Sequence, residues 1–148
     1  MAEVVSIHIA SQTGAVPESV DRVEAIAGAG LRGDRHYEEG AEPARHLTLI
    51  ESEEVERLAA EHEMRLAPGE SRRQLTTRGV RLNPLVGKRF RVGEVECRGI
   101  ELCEPCAHLQ SLTHDGIMRA MVHRAGLNAE IISGGEISVG DEITALED

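Results

Sequence analysis

The chain has 148 residues and a formal net charge of −10 at pH 7, and its length predicts a single domain, residues 1–148, built around one core. The negative charge argues against binding to nucleic acid or to an acidic membrane surface, and the apolar runs are shorter than the roughly 20 residues that span a bilayer. Three cysteines, which cannot all pair, and the lack of a signal-peptide pattern predict a cytoplasmic protein.

The first half of the chain predicts two strands, a long loop and a helix. The segments "VVSIHIA", from Val5, and "HLTLI", from Leu47, alternate apolar and polar residues as half-buried strands do. Between them, "GAGLRGDRHYEEGAEPARH" is a long loop for a small domain, and such loops often carry binding sites. A helix is predicted from Ser52 to Met64, because acidic residues open it and Pro68-Gly69 follows its end.

The second half predicts hairpins. In "RFRVGEVECRGIEL", turns are expected at Gly93-Glu94 and at Arg98-Gly99, and "GEISVGDEITAL" repeats the pattern with Val139 among its inward residues. A short helix is expected from Gly116 to about Arg124, capped by Asp115. Many short strands and few helices predict a mainly β fold, with a closed or partly open barrel of antiparallel strands and a few peripheral helices.

Basic residues are concentrated in one part of the chain. Eight of the sixteen basic residues lie between Arg72 and Arg98, where only Glu94 and Glu96 are acidic. A basic segment within an acidic protein favours a small anionic ligand over a charged polymer. The alternative is that these side chains only cover solvated strand faces.

The segment "IELCEPCAHLQ" holds two of the three cysteines. Pro105 cannot donate a hydrogen bond to a sheet, so the strand is expected to end at the pair, with Cys106 in the first turn of a helix. Backbone amides at a helix start lower the pKa of a thiol. Cys106 is therefore the candidate reactive thiolate and Cys103 its neighbour or resolving partner, while Cys97 is predicted to be a buried, inert side chain.

Three alternatives for the cysteine pair remain open. A zinc site could recruit His108, His114 or His123, but the second paired half-site of most structural zinc sites is missing, so zinc is unlikely. A thioredoxin-like redox pair would require a βαβ setting, and the surrounding pattern predicts hairpins. Spacing alone would also allow two inert, half-buried cysteines.

Five blocks carry a family resemblance: "GLRGDRHY", "ARHLTLIESEEVE", "SRRQLTTRGVRLNPLVGKRFRVGEVECRG", "LCEPCAHL" and "HRAGLNAEIISGGEISVGDEI". In order and spacing they resemble the MOSC domain, named from the C-terminal part of molybdenum cofactor sulfurases, in a small stand-alone bacterial-type form. The resemblance extends from about Val20 to the end of the chain. It implies a mainly β, barrel-like fold and a link to the molybdenum cofactor and to sulfur carried on cysteine.

The resemblance also implies roles for particular residues. The family's cysteine, which follows a proline, corresponds to Cys106, as a persulfide carrier or molybdenum ligand with Cys103 beside it. Its arginine-rich block corresponds to Arg72, Arg73 and Arg78, whose charge suits a phosphate-bearing pterin. Gln74 stands where many members have asparagine.

The loop "GLRGDRHY" adds a second candidate group. Gly30 and Gly33 suit a tight turn, from which Asp34, Arg35 and His36 would project into the same pocket. The alternative is that Asp34 only hydrogen-bonds its own turn.

Three functions are compatible with the sequence. The first is a domain that binds the molybdenum cofactor (molybdopterin) or carries sulfur during its maturation or delivery, with a sulfur donor as partner and no pyridoxal phosphate. The second is a molybdenum-dependent reductase of N-hydroxylated compounds, which would need an electron-transfer partner because the chain has no iron–sulfur or dinucleotide motif. The third is a non-catalytic interaction or zinc-binding module. The sequence predicts no oligomeric state.

Overall fold

The computed structural model describes residues 2–12, 15–67, 69–105, 110, 113–114 and 116–146. Within these ranges the chain forms short strands, which are β1 (Glu3–Ile9), β2 (Glu18–Val20), β3 (Arg22–Ile26), β4 (Gly30–Leu31), β5 (Leu47–Glu51), β6 (Leu75–Arg78), β7 (Arg89–Val92), β8 (Val95–Leu102), β9 (Leu127–Ser133), β10 (Gly135–Ser138) and β11 (Ile143–Ala145). The helices are α1 (Ser52–His62) and α2 (Ile117–Ala120), with single 3-10 turns at Pro43–Arg45 and Asn83–Leu85.

The strands form two sheets. The larger has the order β11-β7-β8-β9-β5-β6-β1-β2, and the smaller has the order β10-β3-β4. Neighbours are antiparallel except β5 and β6, which are parallel because α1 carries the chain back between them. The predicted mainly β fold is confirmed. A closed barrel is not, because in the described part of the chain the end strands β11 and β2 do not pair, although a bridge joins Glu3 to Glu142.

The main core lies between the two sheets. It combines buried side chains of the smaller sheet, such as Val23, Leu31 and Ile137, with those of the larger sheet, such as Leu49 and Phe90. Apolar burial of this kind is the main favourable contribution to folding. The core therefore fixes the two sheets face to face.

The helices pack on a second, smaller cluster. Leu58 of α1 and Ile117 of α2 are fully buried and pack with Ile50 and Met121. Helix α1 confirms the predicted helix and ends where Glu63 adopts a left-handed conformation, with φ of 55°. None of the helices in the described ranges has the length and apolar character of a membrane-spanning segment.

Helix α2 is shorter than predicted. It ends at Ala120 rather than near Arg124, and the chain turns at His123, which has φ of 60°, before it enters β9. The predicted cap, Asp115, lies outside the described residues. A left-handed residue cannot continue a right-handed helix, which explains the early end.

Two details of the hairpin predictions are wrong. Strand β8 runs through Arg98-Gly99 without a turn, with a register shift between Gly99 and Glu101. Gly99 is required for close approach, because a Cβ atom there would lie 2.8 Å from the Leu85 carbonyl carbon and closer still to its oxygen. Val139 lies just beyond the end of β10 and is 44% exposed, not inward.

Strand β1 contains a bulge that changes which residues face the core. Its pairing with β6 shifts register between Val4 and Ser6, so Val4 and Ile7, rather than Val5, are the fully buried core residues. His8 follows Ile7 and therefore points to the opposite face of the strand. It is nevertheless 5% exposed, because that face lies against the loops that form the candidate site.

Candidate functional site

A cavity of about 210 Å³ lies where the end of β1, the loop after β4 and the segment before β6 meet. Its cationic lining residues are Arg35, Arg45, Arg72 and Arg73, and Cys103 lies at its wall. The long loop predicted to carry a site thus supplies one side of the cavity, and the basic segment supplies another. Concave sites with a few converging polar groups are the usual form of small-molecule sites.

The charge of the cavity is positive. Asp34 is the sole carboxylate among the described residues that line it. Both of its oxygens already accept hydrogen bonds: Oδ1 from the backbone N–H of Ala10 at 3.0 Å, and Oδ2 from the backbone N–H of His36 at 3.1 Å and from Gln74 Nε2 at 2.8 Å. The cavity thus collects four arginines within a protein whose net charge is −10, and suits a small anion.

Asp34 and Gln74 belong to one buried network. Gln74 donates to Asp34 and accepts from the backbone N–H of Thr48 at 2.9 Å, while its own backbone N–H donates to Thr48 Oγ1 at 2.8 Å. This network ties the loop after β4 to β5 and to the start of β6. Both hydrogen-bonding ends of the Gln74 amide are therefore used to build the cavity wall.

Arg73 holds the segment that carries Cys103. The side chain is 9% exposed, and its guanidinium donates to the backbone carbonyls of Ala125 at 2.8 Å and of Ser71, Cys103 and Glu104 at 3.4 Å each. A buried cation whose donors are directed at carbonyls keeps its full positive charge next to the cavity. Arg73 therefore both positions the cysteine segment and contributes positive potential.

Arg72 is held in a strained conformation at the edge of the cavity. Its φ of 61° is left-handed, which is uncommon for a residue other than glycine. Its Nη2 donates to the Ala15 carbonyl at 3.1 Å, whereas its Nε is buried without a partner in the described part of the chain. Burial, and after it the charge of Arg35, lowers the pKa of Arg72.

Arg78 does not line this cavity. It is exposed at the end of β6, and its guanidinium pairs with Glu56 of α1. The alternation of β6, which buries Leu75 and Thr77, directs Arg78 away from the other arginines of its block. The structure therefore brings Arg72, Arg73, Gln74, Asp34, Arg35 and His36 together and leaves Arg78 apart.

The cysteines have different environments. Cys97 is fully buried in β8 opposite Phe90, which confirms the predicted burial, and that burial raises the pKa of its thiol to about 12, which disfavours the thiolate at neutral pH. Cys103 follows β8 directly, is half-buried, and donates its backbone N–H to the Gly126 carbonyl at 2.8 Å. Cys106, the helix predicted to start there and His108 lie outside the described residues.

The other histidines of the zinc alternative have separate partners. His114 Nε2 donates to the Arg65 carbonyl at 2.8 Å, and His123 interacts through its backbone N–H and its ring with the Glu104 carboxylate. The Glu104 contacts tie the segment after Cys103 to the start of β9. Among the described residues, no group of three or more His, Cys, Asp or Glu side chains is arranged to hold a metal ion.

Among the cavity residues that sequence reasoning missed, two carry ionisable side chains, Arg45 and His8. Arg45 stands at the end of the long loop, in the basic run "ARH", and that run was a usable signal. His8 occupies a polar position of an alternating strand, which is the ordinary pattern of a solvent-facing residue. Its burial depends on distant loops folding over β1, for which the local sequence gives no signal.

Comparison with known proteins places this fold in a family. The MOSC domain model matches residues 33–144. The structure is similar to the YuaD protein of Bacillus subtilis (TM-score 0.83, 19% identity, 97% of this chain and 94% of that one). It is also similar to YiiM of Escherichia coli (TM-score 0.72, 21% identity, 100% and 71%) and YiiM of Geobacillus stearothermophilus (0.75, 13%, 99% and 76%).

The structural similarities establish the fold, and the family match establishes membership. A comparison with curated protein sequences gives no match. The family model covers most of the chain and includes the described residues that line the cavity except His8, Ala10 and Pro17. The chain therefore belongs to the MOSC domain family.

Proposed function

We propose that this protein binds the molybdenum cofactor in the cavity and acts in its maturation or delivery, with a cysteine that carries sulfur as a persulfide or ligates the metal. Membership of the MOSC family supports a function related to this cofactor. The observation that carries the proposal is the cavity itself, which combines four arginines, one fully engaged carboxylate and a half-buried cysteine.

The residues present fit the anionic part of such a cofactor. A pterin phosphate needs several charge-assisted donors, which arginine supplies in a planar fork. Arg72 Nε is buried without a partner among the described residues, and buried polar atoms without a partner often mark a ligand or a water. Arg35 and Arg45 line the same space and are free of the clamping role that Arg73 has.

The chain's own residues would bind and orient the cofactor. When bound, the cofactor supplies a metal centre that takes thiolate or sulfide sulfur as a ligand. Cys103 lies at the cavity wall, where Arg73 and the Gly126 carbonyl hold its backbone, and Cys106 follows three residues later. The positive charge of Arg73 and Arg72 favours the thiolate or persulfide anion over its protonated form.

The test is cofactor retention in protein produced in a molybdenum-replete host. Molybdenum is measured by mass spectrometry, pterin by fluorescence after oxidation, and bound sulfur as the mass of one added sulfur atom on the intact chain. The Arg35→Gln/Arg45→Gln variant should retain at least about tenfold less pterin, because each lost charge-assisted hydrogen bond costs roughly 1.5–3 kcal/mol. Arg78→Gln removes an arginine of the same block outside the cavity and should retain pterin like the parent.

The cysteine variants separate the possible roles. Cys106→Ser and Cys103→Ser should lose added sulfur or molybdenum, and Cys97→Ala should keep both. Retained molybdopterin together with reduction of an N-hydroxylated compound by an external electron donor would favour the reductase instead. Equal pterin content in Arg35→Gln/Arg45→Gln and Arg78→Gln would contradict the proposal.

A further inference from the structure

Two buried side-chain nitrogens in the described part of the chain have no hydrogen-bond partner. They are His8 Nδ1 and Arg72 Nε, and both residues line the same cavity. Leaving a buried polar atom unpaired costs roughly 1–3 kcal/mol, so such atoms are rare in folded proteins and call for an explanation. Their occurrence together at one cavity points to a ligand that would satisfy both.

The His8 ring is held in place on the cavity wall. The residue is 5% exposed, and its backbone N–H donates to the Gln74 carbonyl at 2.8 Å, which anchors the end of β1 to the segment before β6. Gly69 packs directly against the ring, since a Cβ atom at this glycine would lie 2.8 Å from His8 Cδ2. The backbone hydrogen bond and the packing of Gly69 therefore hold the imidazole in its position.

Arg72 approaches from the turn that begins at Gly69. The Arg72 N–H donates to the Gly69 carbonyl at 3.0 Å, and the left-handed φ of 61° at Arg72 sets the direction of its side chain. The Nη2 donor is directed at the Ala15 carbonyl, which leaves Nε as the buried donor without a partner in the described part of the chain. The turn that packs against the His8 ring through Gly69 thus also brings Arg72 to the same cavity.

We infer that His8 and Arg72 form a paired donor site for a tetrahedral oxyanion, and that His8 takes up a proton when the anion binds. The inference rests on the proposed function, because the anion assigned to the pair is the phosphate of the cofactor. Arg72 would donate through Nε, and His8 through Nδ1. The bound oxyanion would satisfy both buried nitrogens at once.

The charged groups that line the cavity with His8 favour an anion. The polar side chains that share the cavity with His8 come from the segment before β6 (Arg72, Arg73 and Gln74), the loop after β4 (Asp34, Arg35 and His36) and the loop before β5 (Arg45). Ser19 of β2 is paired with His8 in the sheet. Asp34 is the one carboxylate among these described residues and stands against four arginines, so the charge around His8 is positive on balance.

Burial lowers the pKa of His8 below its ordinary value of 6.5, so the ring is neutral at pH 7. An anion within contact distance acts in the opposite direction and raises the pKa of the ring. Proton binding and anion binding therefore favour each other, and anion affinity must increase as the pH falls.

The test uses sulfate, whose charge is constant between about pH 5 and 8 while that of phosphate changes near neutrality. Isothermal titration calorimetry of the full chain should show affinity rising by up to about tenfold per pH unit as pH falls between the pKa values of bound and free His8. His8→Gln should lose this slope. His62→Gln, which removes an exposed histidine at the end of α1, outside the cavity, should keep it.

A second measurement does not depend on any variant. The NMR titration of the His8 ring in the parent protein should move to higher pH when sulfate is added. If His8→Gln fails to fold, this titration decides. A pH-independent sulfate affinity, a slope that survives in His8→Gln, or an unshifted His8 titration would each overturn the inference.

Further measurements distinguish a failure of this inference from a failure of the proposed function. Absence of sulfate binding overturns the His8–Arg72 site, whereas the proposed function is judged on pterin retention alone. Cofactor-loaded protein should no longer bind sulfate if the pair holds the cofactor phosphate. Loaded protein that binds sulfate as well as the cofactor-free form would overturn the assignment of this pair to the cofactor.

Discussion

Asp34 shows how one side chain can line a binding cavity and still serve the fold. The sequence left two roles open for it, a pocket residue or an acceptor within its own turn. In the structure it lines the cavity, accepts from the His36 N–H of its own turn, and also reaches Ala10 and Gln74. Its contribution to the site is therefore the shape of the cavity, because its oxygens already accept from three donors of the surrounding wall.

Replacing Asp34 should destabilise the protein. Asp34→Ala removes the acceptor for three donors, and each buried donor left unsatisfied costs about 1–3 kcal/mol. We expect a loss of about 3 kcal/mol or more in the free energy of unfolding measured in urea. Asp21→Ala, at an exposed turn position, should change it by less than about 0.5 kcal/mol. Equal stability of the two variants would show that the Asp34 network contributes nothing.

The thiols should react in the order of their access and ionisation. Iodoacetamide added to the native protein near neutral pH should label Cys106 first, Cys103 more slowly and Cys97 hardly at all, because burial raises the pKa of Cys97 to about 12. Peptide mass spectrometry at successive times checks the order. Cys97→Ala should cost about 1 kcal/mol through a small cavity and leave the labelling of the others unchanged. Labelling of Cys97 as fast as Cys103 would contradict this order.

At the scale of elements, Gly99 makes the pairing around β8 possible. Gly99→Ala should cost about 3 kcal/mol, because the new Cβ atom would overlap the Leu85 backbone, which cannot move away cheaply. Gly87→Ala is the matched control: nothing lies within 4 Å of its Cβ position, and its φ of 78° adds a strain of only about 1 kcal/mol. Urea unfolding of both variants compares the cost of steric overlap at Gly99 with the cost of backbone strain at Gly87. A smaller loss at Gly99 than at Gly87 would show that β8 shifts to accept the side chain.

The elements were predictable to different degrees. Alternation and composition identified the mainly β class and the helix from Ser52, since these depend on residues close in sequence. The turn predicted at Gly99 was wrong because a glycine that permits close packing looks, in sequence, like a glycine that permits a turn. The bulge near Val5 and the early end of α2 depend on pairing with β6 and on the path into β9, which are long-range effects.

At the scale of the whole molecule, the site depends on the topology. The parallel pairing of β5 with β6, through α1, brings Gln74 against Thr48, and the return of the long loop brings Asp34 to the same point. Sequence reasoning placed Asp34, Arg35, His36, Arg72 and Arg73 near one pocket. Sequence reasoning could not show that Arg78 lies outside the pocket, because that depends on the direction in which β6 points its side chains. It also could not include His8, because the burial of His8 depends on where distant loops pack.

Folding stability should carry the signature of a buried carboxylate, Glu51. It is 7% exposed at the junction of β5 and α1, where Oε2 accepts from the Leu82 N–H at 3.2 Å and Oε1 lies 3.8 Å from Arg81 Nε. Burial is the main cause that raises the pKa of Glu51 above its ordinary value of 4.5. Above pH 4.5 the native state therefore keeps a proton that the unfolded chain has lost, and this contribution to stability falls as the pH rises.

The two histidines of the cavity give the opposite slope. Burial lowers the pKa of His8 and His36 below 6.5, so the unfolded chain binds more protons than the native state just below pH 6.5, and stability rises with pH there. The parent profile is thus a sum of opposed slopes. The contribution of Glu51 to the pH dependence of stability can be measured with a variant that removes only that contribution.

Glu51→Gln keeps an acceptor for Leu82 and cannot ionise. We expect the variant to become more stable relative to the parent as the pH rises from 4.5 to 7, because only the parent must hold a buried charge. Its free energy of unfolding should therefore increase relative to that of the parent. Urea unfolding at several pH values checks this. Glu61→Gln, on the exposed face of α1, should give a small, nearly pH-independent difference. A difference for Glu51→Gln that is equally small and independent of pH would contradict the prediction. It would mean that the Leu82 N–H and Arg81 fully compensate the cost of burying the Glu51 charge in the parent.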